Sequence, residues 1–387
     1  MAPKAIDRPK ETQEILSLIA RLRENKTVFN SDRYPLKLQG GNSTQIMAKT
    51  TVLQKDKLSP KKWILGGSLA VLLLIPGVYL NWQFFQRHIF GIQTSLSNRE
   101  FQGHEGEIND LVITVDRKTL ISASADRTIK LWNLNTGELL MNLTEHSSFV
   151  NDLAISPDGQ MLASASANGI IKLWNLNTGE VLKSLKDDNS AVEDVLFSAD
   201  GKTLYSAGAD KNVRIWNLET QPEPQILEGH TSFVNALAIS PDGQVLYSAS
   251  ADNTIKLWDT NTGEEIKTLT GHTSFINALA ISPDGQVLYS ASADNTIKLW
   301  DTNTGEATKT LTGHEGYVNA LKISSDGKTL MSSSADKTIR FWDLETGETQ
   351  RIVMDYPYPI NYFDITRDLK TIATGSHDRV IHIRQLP

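Results

Sequence analysis

The chain has 387 residues, 40% of them hydrophobic and 21% charged, which requires at least one large core and excludes a disordered polypeptide. It contains no cysteine, so disulfides, iron–sulfur clusters, thiolate zinc sites and a cysteine nucleophile are all excluded. The net charge of −7 divides unevenly: residues 1–62 carry 13 cations and 6 anions, whereas 94–387 carry 24 Lys and Arg against 39 Asp and Glu.

After Pro9, Ile15, Leu18, Ile19 and Leu22 fall on one face of a short helix within 11–25. Such a helix is either a solvated surface element or a docking helix for a cytoplasmic partner or the membrane surface. Residues 26–60 mix Ser, Thr, Gln, Gly and Lys without periodicity and read as a flexible linker. Next come 24 residues without a charge, 63–86, which as a helix of about 36 Å exceed a bilayer core of about 30 Å. Trp63, Tyr79, Trp82 and Phe85 stand near the ends, where an aromatic belt belongs, and Pro76 is expected to bend the helix.

The fifteen residues before this run carry five cations and the fifteen after Phe85 carry two, which keeps the N-terminus in the cytoplasm. A cleaved signal peptide does not fit, because its basic region is far shorter than 62 residues. The sequence therefore predicts a single-pass membrane protein with an uncleaved signal anchor. It has a basic cytoplasmic tail (1–62), a transmembrane helix (63–86), a tether (87–96) and an extracytoplasmic domain (97–387) that is periplasmic or luminal.

That domain is repetitive. Trp132, Trp174, Trp216, Trp258, Trp300 and Trp342 are each 42 residues apart, and His104, His146, His230, His272 and His314 keep the same period. Asp126, Asp210, Asp252, Asp294, Asp336 and Asp378 do so too, and seven such units fill 94–387. Units 230–271 and 272–313 differ only at Val234/Ile276, Glu265/Ala307 and Ile266/Thr308. Within 230–271, the runs VNALAIS, VLYSAS, TIKLWDT and EEIKTL read as four antiparallel strands separated by the turns PDGQ, ADN and NTGE. Alternation places Ala236, Ala238 and Leu246 on one face and Leu237, Ile239 and Tyr247 on the other. A sheet apolar on both faces must be covered twice, and radial stacking of seven sheets does so.

Gly229, His230, Asp252, Trp258 and Asp259 together resemble the WD-repeat β-propeller family, and the likeness covers about three quarters of the chain. The resemblance implies an all-β, seven-bladed propeller of four-stranded blades. It also implies a hydrogen-bonded set in each blade: Asp252 holds His230, a strand serine (Ser248 or Ser250) follows, and the Trp258 indole closes it. Asn168, Asp188, Tyr356 and Arg384 depart from the pattern, so blades 2, 3 and 7 are expected to be held less firmly. The last unit ends after its third strand, near Val380–Gln385, so residues 97–102 are expected to close the ring against 359–385.

The His, Ser and Asp recur at fixed offsets, whereas a catalytic triad is unique, so they read as structural and the protein as non-enzymatic. No phosphate loop, paired catalytic carboxylates or HExxH pattern occurs, and neither a cofactor nor a metal site is expected. The acidic repeats repel phosphates, which disfavours nucleic acid. Three residues after the histidine positions stand Phe149, Phe233, Phe275 and Tyr317, and two further on Asn151, Asn235, Asn277 and Asn319, with Glu193 in the same series. The residue before each turn aspartate is small except His377. Aromatic anchors beside amides are what a protein-binding face uses, so these residues form the predicted partner site on the histidine face. Equally, the aromatics could simply cover the blade tops. The expected function is an interaction scaffold. A transmembrane sensor, or an enzyme using the central channel through Glu193, are the alternatives.

Overall fold

A computed structural model describes residues 98–386, apart from 187, 221, 222 and 355. The chain divides after Thr94, and the second unit, Ser95–Pro387, holds every described residue. The predicted tail, transmembrane helix and tether lie outside the described residues, and no helix among those described is long and apolar enough to cross a membrane.

The described residues form seven four-stranded antiparallel sheets. Blades 1 to 6 span 108–143, 150–186, 192–227, 234–270, 276–311 and 318–353. Each runs from first to fourth strand in chain order. The first strand of each blade touches that of the next, and the first strand of blade 7 (Tyr362–Ile365) touches that of blade 1 (Ile108–Ile113), so the sheets close into a ring. In the unit read from sequence, the strands are Val234–Ile239, Val245–Ser250, Thr254–Asp259 and Glu265–Thr270, within a residue or two of the predicted runs.

Blade 7 is made from both ends of this unit. Its first three strands come from 362–385, and Arg99–Gln102 supplies the fourth, pairing Arg99 with Ile383 and Gln102 with Val380. Phe101 is buried there and packs its ring 5.9 Å from that of Trp132 in blade 1. The predicted closure is present, with the strand beginning at Arg99. An exposed pair, Arg117 Nη1 to Asp368 Oδ2 at 2.5 Å, also joins blades 1 and 7.

The face assignment from alternation needs correction. The hairpin register pairs Ala238 with Tyr247 and Ile239 with Leu246, so an even-numbered residue shares its face with an odd-numbered one across the turn. Tyr247 therefore packs with Ala236 and Ala238 against Ile276, Leu288 and Trp300 of blade 5. Leu246 joins Val234, Leu237 and Trp258 against Tyr205, Ala207, Val213 and Leu227 of blade 3. These two interfaces thus set a face with alanines and a tyrosine against a leucine–tryptophan face, whereas between blades 6 and 7 Phe363 and Ile372 meet Met331 and Phe341 with no tryptophan. Burying a tryptophan of this kind removes on the order of 150–250 Å² from water, so the interfaces rather than the short strands hold the ring.

Polar sets tie the sheets internally. In blade 4 the Trp258 indole donates to Ser248 Oγ at 2.8 Å, leaving the serine proton for His230 Nε2 at 2.8 Å and the Nδ1 proton for Asp252 Oδ2 at 2.9 Å. Ser248 is therefore the bridging serine, and Ser250 instead accepts from the Asp252 amide at 3.0 Å. Burial pushes the Asp252 carboxyl up, but bonds from Thr254, the Thr231 amide and His230 outweigh it and hold the carboxyl at about 2. Blades 1, 5 and 6 repeat the set around His104, His272 and His314.

The irregular blades replace it. In blade 2, Asn168 turns to Ser147 Oγ at 2.8 Å, and His146 Nδ1 is buried without a partner. In blade 3, Arg214 pairs with Asp210 at 2.7 Å. In blade 7, the Arg384 guanidinium lies 4.0 Å from the Tyr356 ring centroid and donates to Met354 O at 2.6 Å, while His382 takes Asp378 at 2.7 Å. Blades 3 and 7 have substitute partners, although the Tyr356 hydroxyl of blade 7 is buried without a hydrogen bond, and blade 2 leaves its histidine unpaired.

Candidate functional site

The first two strands of blades 1 to 6 pair with a register slip that leaves one residue of the first strand unmatched, as between Val234 and Ala236. A bulge of this kind re-aims a side chain. The bulged residues are Asn109, Asn151, Glu193, Asn235, Asn277 and Asn319, all on the strands around the central channel. Asn151 Nδ2 donates to Val192 O at 3.0 Å, Asn235 to Ile276 O at 3.0 Å, Asn277 to Val318 O at 3.1 Å and Asn319 to Ile360 O at 3.0 Å. Each of these predicted site residues thus spends its amide donor on the backbone of the next blade. They stitch the ring as well as lining its mouth.

The aromatics are placed differently. Phe149, Phe233, Phe275 and Tyr317 are 52–59% exposed, so the blades do not cover them. Their backbone carbonyls accept the amides of Ala167, Ala251, Ala293 and Ala335 at 2.8–2.9 Å, which puts each small residue beside an aromatic one. A depression of about 420 Å³ at the mouth is lined by Phe275, Tyr317, Ala293, Glu193 and five of the asparagine-series side chains and reaches Tyr362. A second, of about 560 Å³, includes Phe149, Asn151, Glu193, His377 and Arg379. The structure therefore brings Phe275, Tyr317, Asn235, Asn277, Asn319 and Glu193 around one depression and Phe149, Asn151 and His377 around the other. Phe233 lines neither, standing on the adjoining surface. His377 is engaged across the closure between blades 7 and 1, its Nδ1 2.6 Å from Glu107 Oε2.

Deeper in the channel are groups that the sequence reading passed over. Asp110, Asp152 and Asp194 each accept a backbone amide of the following blade, from Leu153 at 3.0 Å, Val195 at 2.9 Å and Leu237 at 2.7 Å. Asp364 accepts from Ile113 at 2.7 Å and stands 3.5 Å from Lys322 Nζ. Burial raises the Asp110 and Asp152 carboxyls well above the ordinary range, and the neighbouring carboxyls add to it. Burial also raises Asp194, to about 7, and the Asp194 charge is a further cause of the rise at Asp152. The signal was available: aspartate keeps the 42-residue step at 110, 152 and 194 and yields to alanine at 236, 278 and 320.

The repeated Asp–His–Ser sets are not poised for chemistry. Ser122, Ser164, Ser248, Ser290 and Ser332 are fully buried, and each already accepts from an indole. Among the described residues no cluster of three or more His, Asp or Glu side chains is arranged to hold a metal ion.

Comparison with known proteins bears on the repeats directly. Residues 96–133, 137–175 and 179–217 match the family model described as WD domain, G-beta repeat, and 233–386 match the model described as IFT122 first beta-propeller. The chain carries WD40 repeats. Over 56 residues, 14% of the chain, it is 41% identical to human WD repeat-containing protein 36. Over 46 residues, 12% of the chain, it is 41% identical to small ribosomal subunit protein RACK1 of Candida albicans. The matched stretches cover 6% and 14% of those relatives' lengths. The WD40 propeller of this chain has seven blades, with the fourth strand of the last supplied by Arg99–Gln102.

Proposed function

We propose that the WD40 propeller is a non-enzymatic protein-interaction platform, displayed outside the cytoplasm by the 63–86 segment, with partners held at the mouth by the aromatic residues. The observation that carries this reading is the exposure of Phe149, Phe233, Phe275 and Tyr317 on a ring that is otherwise cross-bonded. Large aromatic rings on a rigid support bind at low entropic cost, and relatives that share these repeats include a ribosomal-subunit protein by name. The membrane part rests on the 24 uncharged residues and their flanking cations.

Replacing Phe233, Phe275 and Tyr317 together by alanine is expected to abolish partner capture from solubilised membranes, and undiminished capture refutes the site. Topology is tested separately. Because the chain lacks cysteine, Thr304→Cys introduces a single thiol at an exposed turn. A membrane-impermeant maleimide added to intact cells or right-side-out vesicles is expected to label it, and labelling only after lysis refutes the display.

A further inference from the structure

The two sides of the channel mouth differ in chemistry. At the bulged position, where the series otherwise carries asparagine, blade 3 carries Glu193. One Glu193 oxygen accepts from the Asn151 amide at 3.3 Å, a neutral donor, and burial raises the carboxyl above its usual value. The next residue of each first strand is Asp110, Asp152 or Asp194 in blades 1 to 3, but Ala236, Ala278 or Ala320 in blades 4 to 6. Lys322 is the cation that the deep carboxyls feel, and its ammonium is already beside Asp364. Tyr362 lines both depressions within reach of these same charges, and its hydroxyl has no hydrogen-bond partner among the described residues. Opposite Glu193, in the same depression of about 420 Å³, stand the half-exposed rings of Phe275 and Tyr317.

We propose that this mouth takes a short peptide segment of the partner in which a lysine or arginine stands beside apolar residues, the cation reaching Glu193 and the apolar neighbours lying on Phe275 and Tyr317. The inference rests on the reading of the aromatics as the partner face and adds the chemistry of what they hold. An approaching surface strips water from Glu193, and a carboxylate so enclosed needs a counter-charge. A cationic head supplies charge-assisted hydrogen bonds to it and leaves the Tyr362 hydroxyl an acceptor for a further donor proton. The aliphatic stem of the same side chain lies along the mouth, and the aromatic faces attract the cation as it passes. An acidic segment is repelled, and a wholly apolar one leaves Glu193 enclosed and unpaired.

The test uses the full-length protein in detergent and a randomised dodecapeptide library displayed on phage. Selection is run on the wild type, on Glu193→Gln and on the Phe233, Phe275, Tyr317 triple alanine variant, each confirmed as folded by its thermal melt. Peptides bound by the wild type are expected to pair Lys or Arg with aliphatic or aromatic neighbours, and to bind Glu193→Gln at least about tenfold more weakly. Peptides that the triple variant loses, but that show no enrichment in cations or are indifferent to Glu193→Gln, overturn the inference and leave the aromatic face standing. Absence of any peptide that distinguishes the wild type from the triple variant overturns the aromatic face itself.

Discussion

Asn168→Asp is expected to stabilise the propeller, because it supplies the acceptor that blade 2 lacks. In blades 1, 4, 5 and 6 a turn aspartate takes the histidine Nδ1 at 2.7–2.9 Å, whereas His146 Nδ1 is buried and unpaired. A charge-assisted bond contributes about 1.5–3 kcal/mol, and losing the neutral Asn168–Ser147 bond costs about 0.5–1 kcal/mol, leaving a net gain of about 1–2 kcal/mol. For a domain of this size that corresponds to about 2–6 °C in melting temperature at pH 7. Burial, with a smaller contribution from Lys172, depresses His146 to about 4. A base depressed in the folded state supports folding fully above its unfolded value of about 6.5 and withdraws that support as the pH falls towards 4, up to about 3 kcal/mol. The new carboxylate works against that burial, as Asp252 does at His230, where burial still keeps the imidazole below its ordinary value, so the advantage of the variant grows between pH 7 and pH 5. Thermal melts at the two pH values, with the His146 ring followed by NMR, check both parts. An unchanged or lower melting temperature at both, or an imidazole that still titrates near 4, refutes the reasoning.

Other expectations follow from the same contacts. Ser248→Ala strands His230 Nε2 and Trp258 Nε1 together, at about 2–5 kcal/mol in urea unfolding; a cost no greater than that of Ser250→Ala would show that the bridge is not at Ser248. Phe101→Ala empties a buried site at the ring closure and should cost about 3–5 kcal/mol, while deletion of 94–102 should lower the midpoint further; an unchanged midpoint in the deletion means the ring does not need its last strand. Asp152→Asn keeps the acceptor for the Val195 amide and removes a buried charge that faces the Asp194 carboxylate. Because the Asp152 carboxyl is raised in the folded state, its support is complete below about pH 3.9 and is lost as the pH rises through the folded value. The variant should therefore melt above the wild type at pH 8 and equal it near pH 4, and a deficit at pH 8 would show that the Asp152 carboxyl is not raised by its burial.

The propeller was legible because its determinants are periodic. The 42-residue step of Trp, His and Asp sets blade number, and the missing fourth strand after Val380–Gln385 pointed to Arg99–Gln102. What escaped the reading depends on register. Alternation cannot tell on which side of a hairpin the parity changes, so Leu246 and Tyr247 were assigned to each other's faces. Nor does it reveal a bulge, which is why the amide bonds from Asn235 and Asn277 to the next blade were not foreseen beside their place at the mouth. The aromatic residues were found because exposure follows from their place in the loops, whereas the channel carboxyls became conspicuous only when seven strands were brought round one axis.

The composite blade also decides how the ring meets mechanical force. The chain enters the ring at Arg99, and the backbone of its first strand is held through the ladder from Arg99–Ile383 to Gln102–Val380, with Phe101 buried against Trp132, before it passes to His104. Ladder bonds lie perpendicular to the strands, so a pull along Arg99–Gln102 loads all of them at once, whereas a sideways pull peels them in succession. Tension arriving from the N-terminal side therefore tests this one zipper before any other blade, and its direction, more than the total number of bonds, determines whether the ring stays shut.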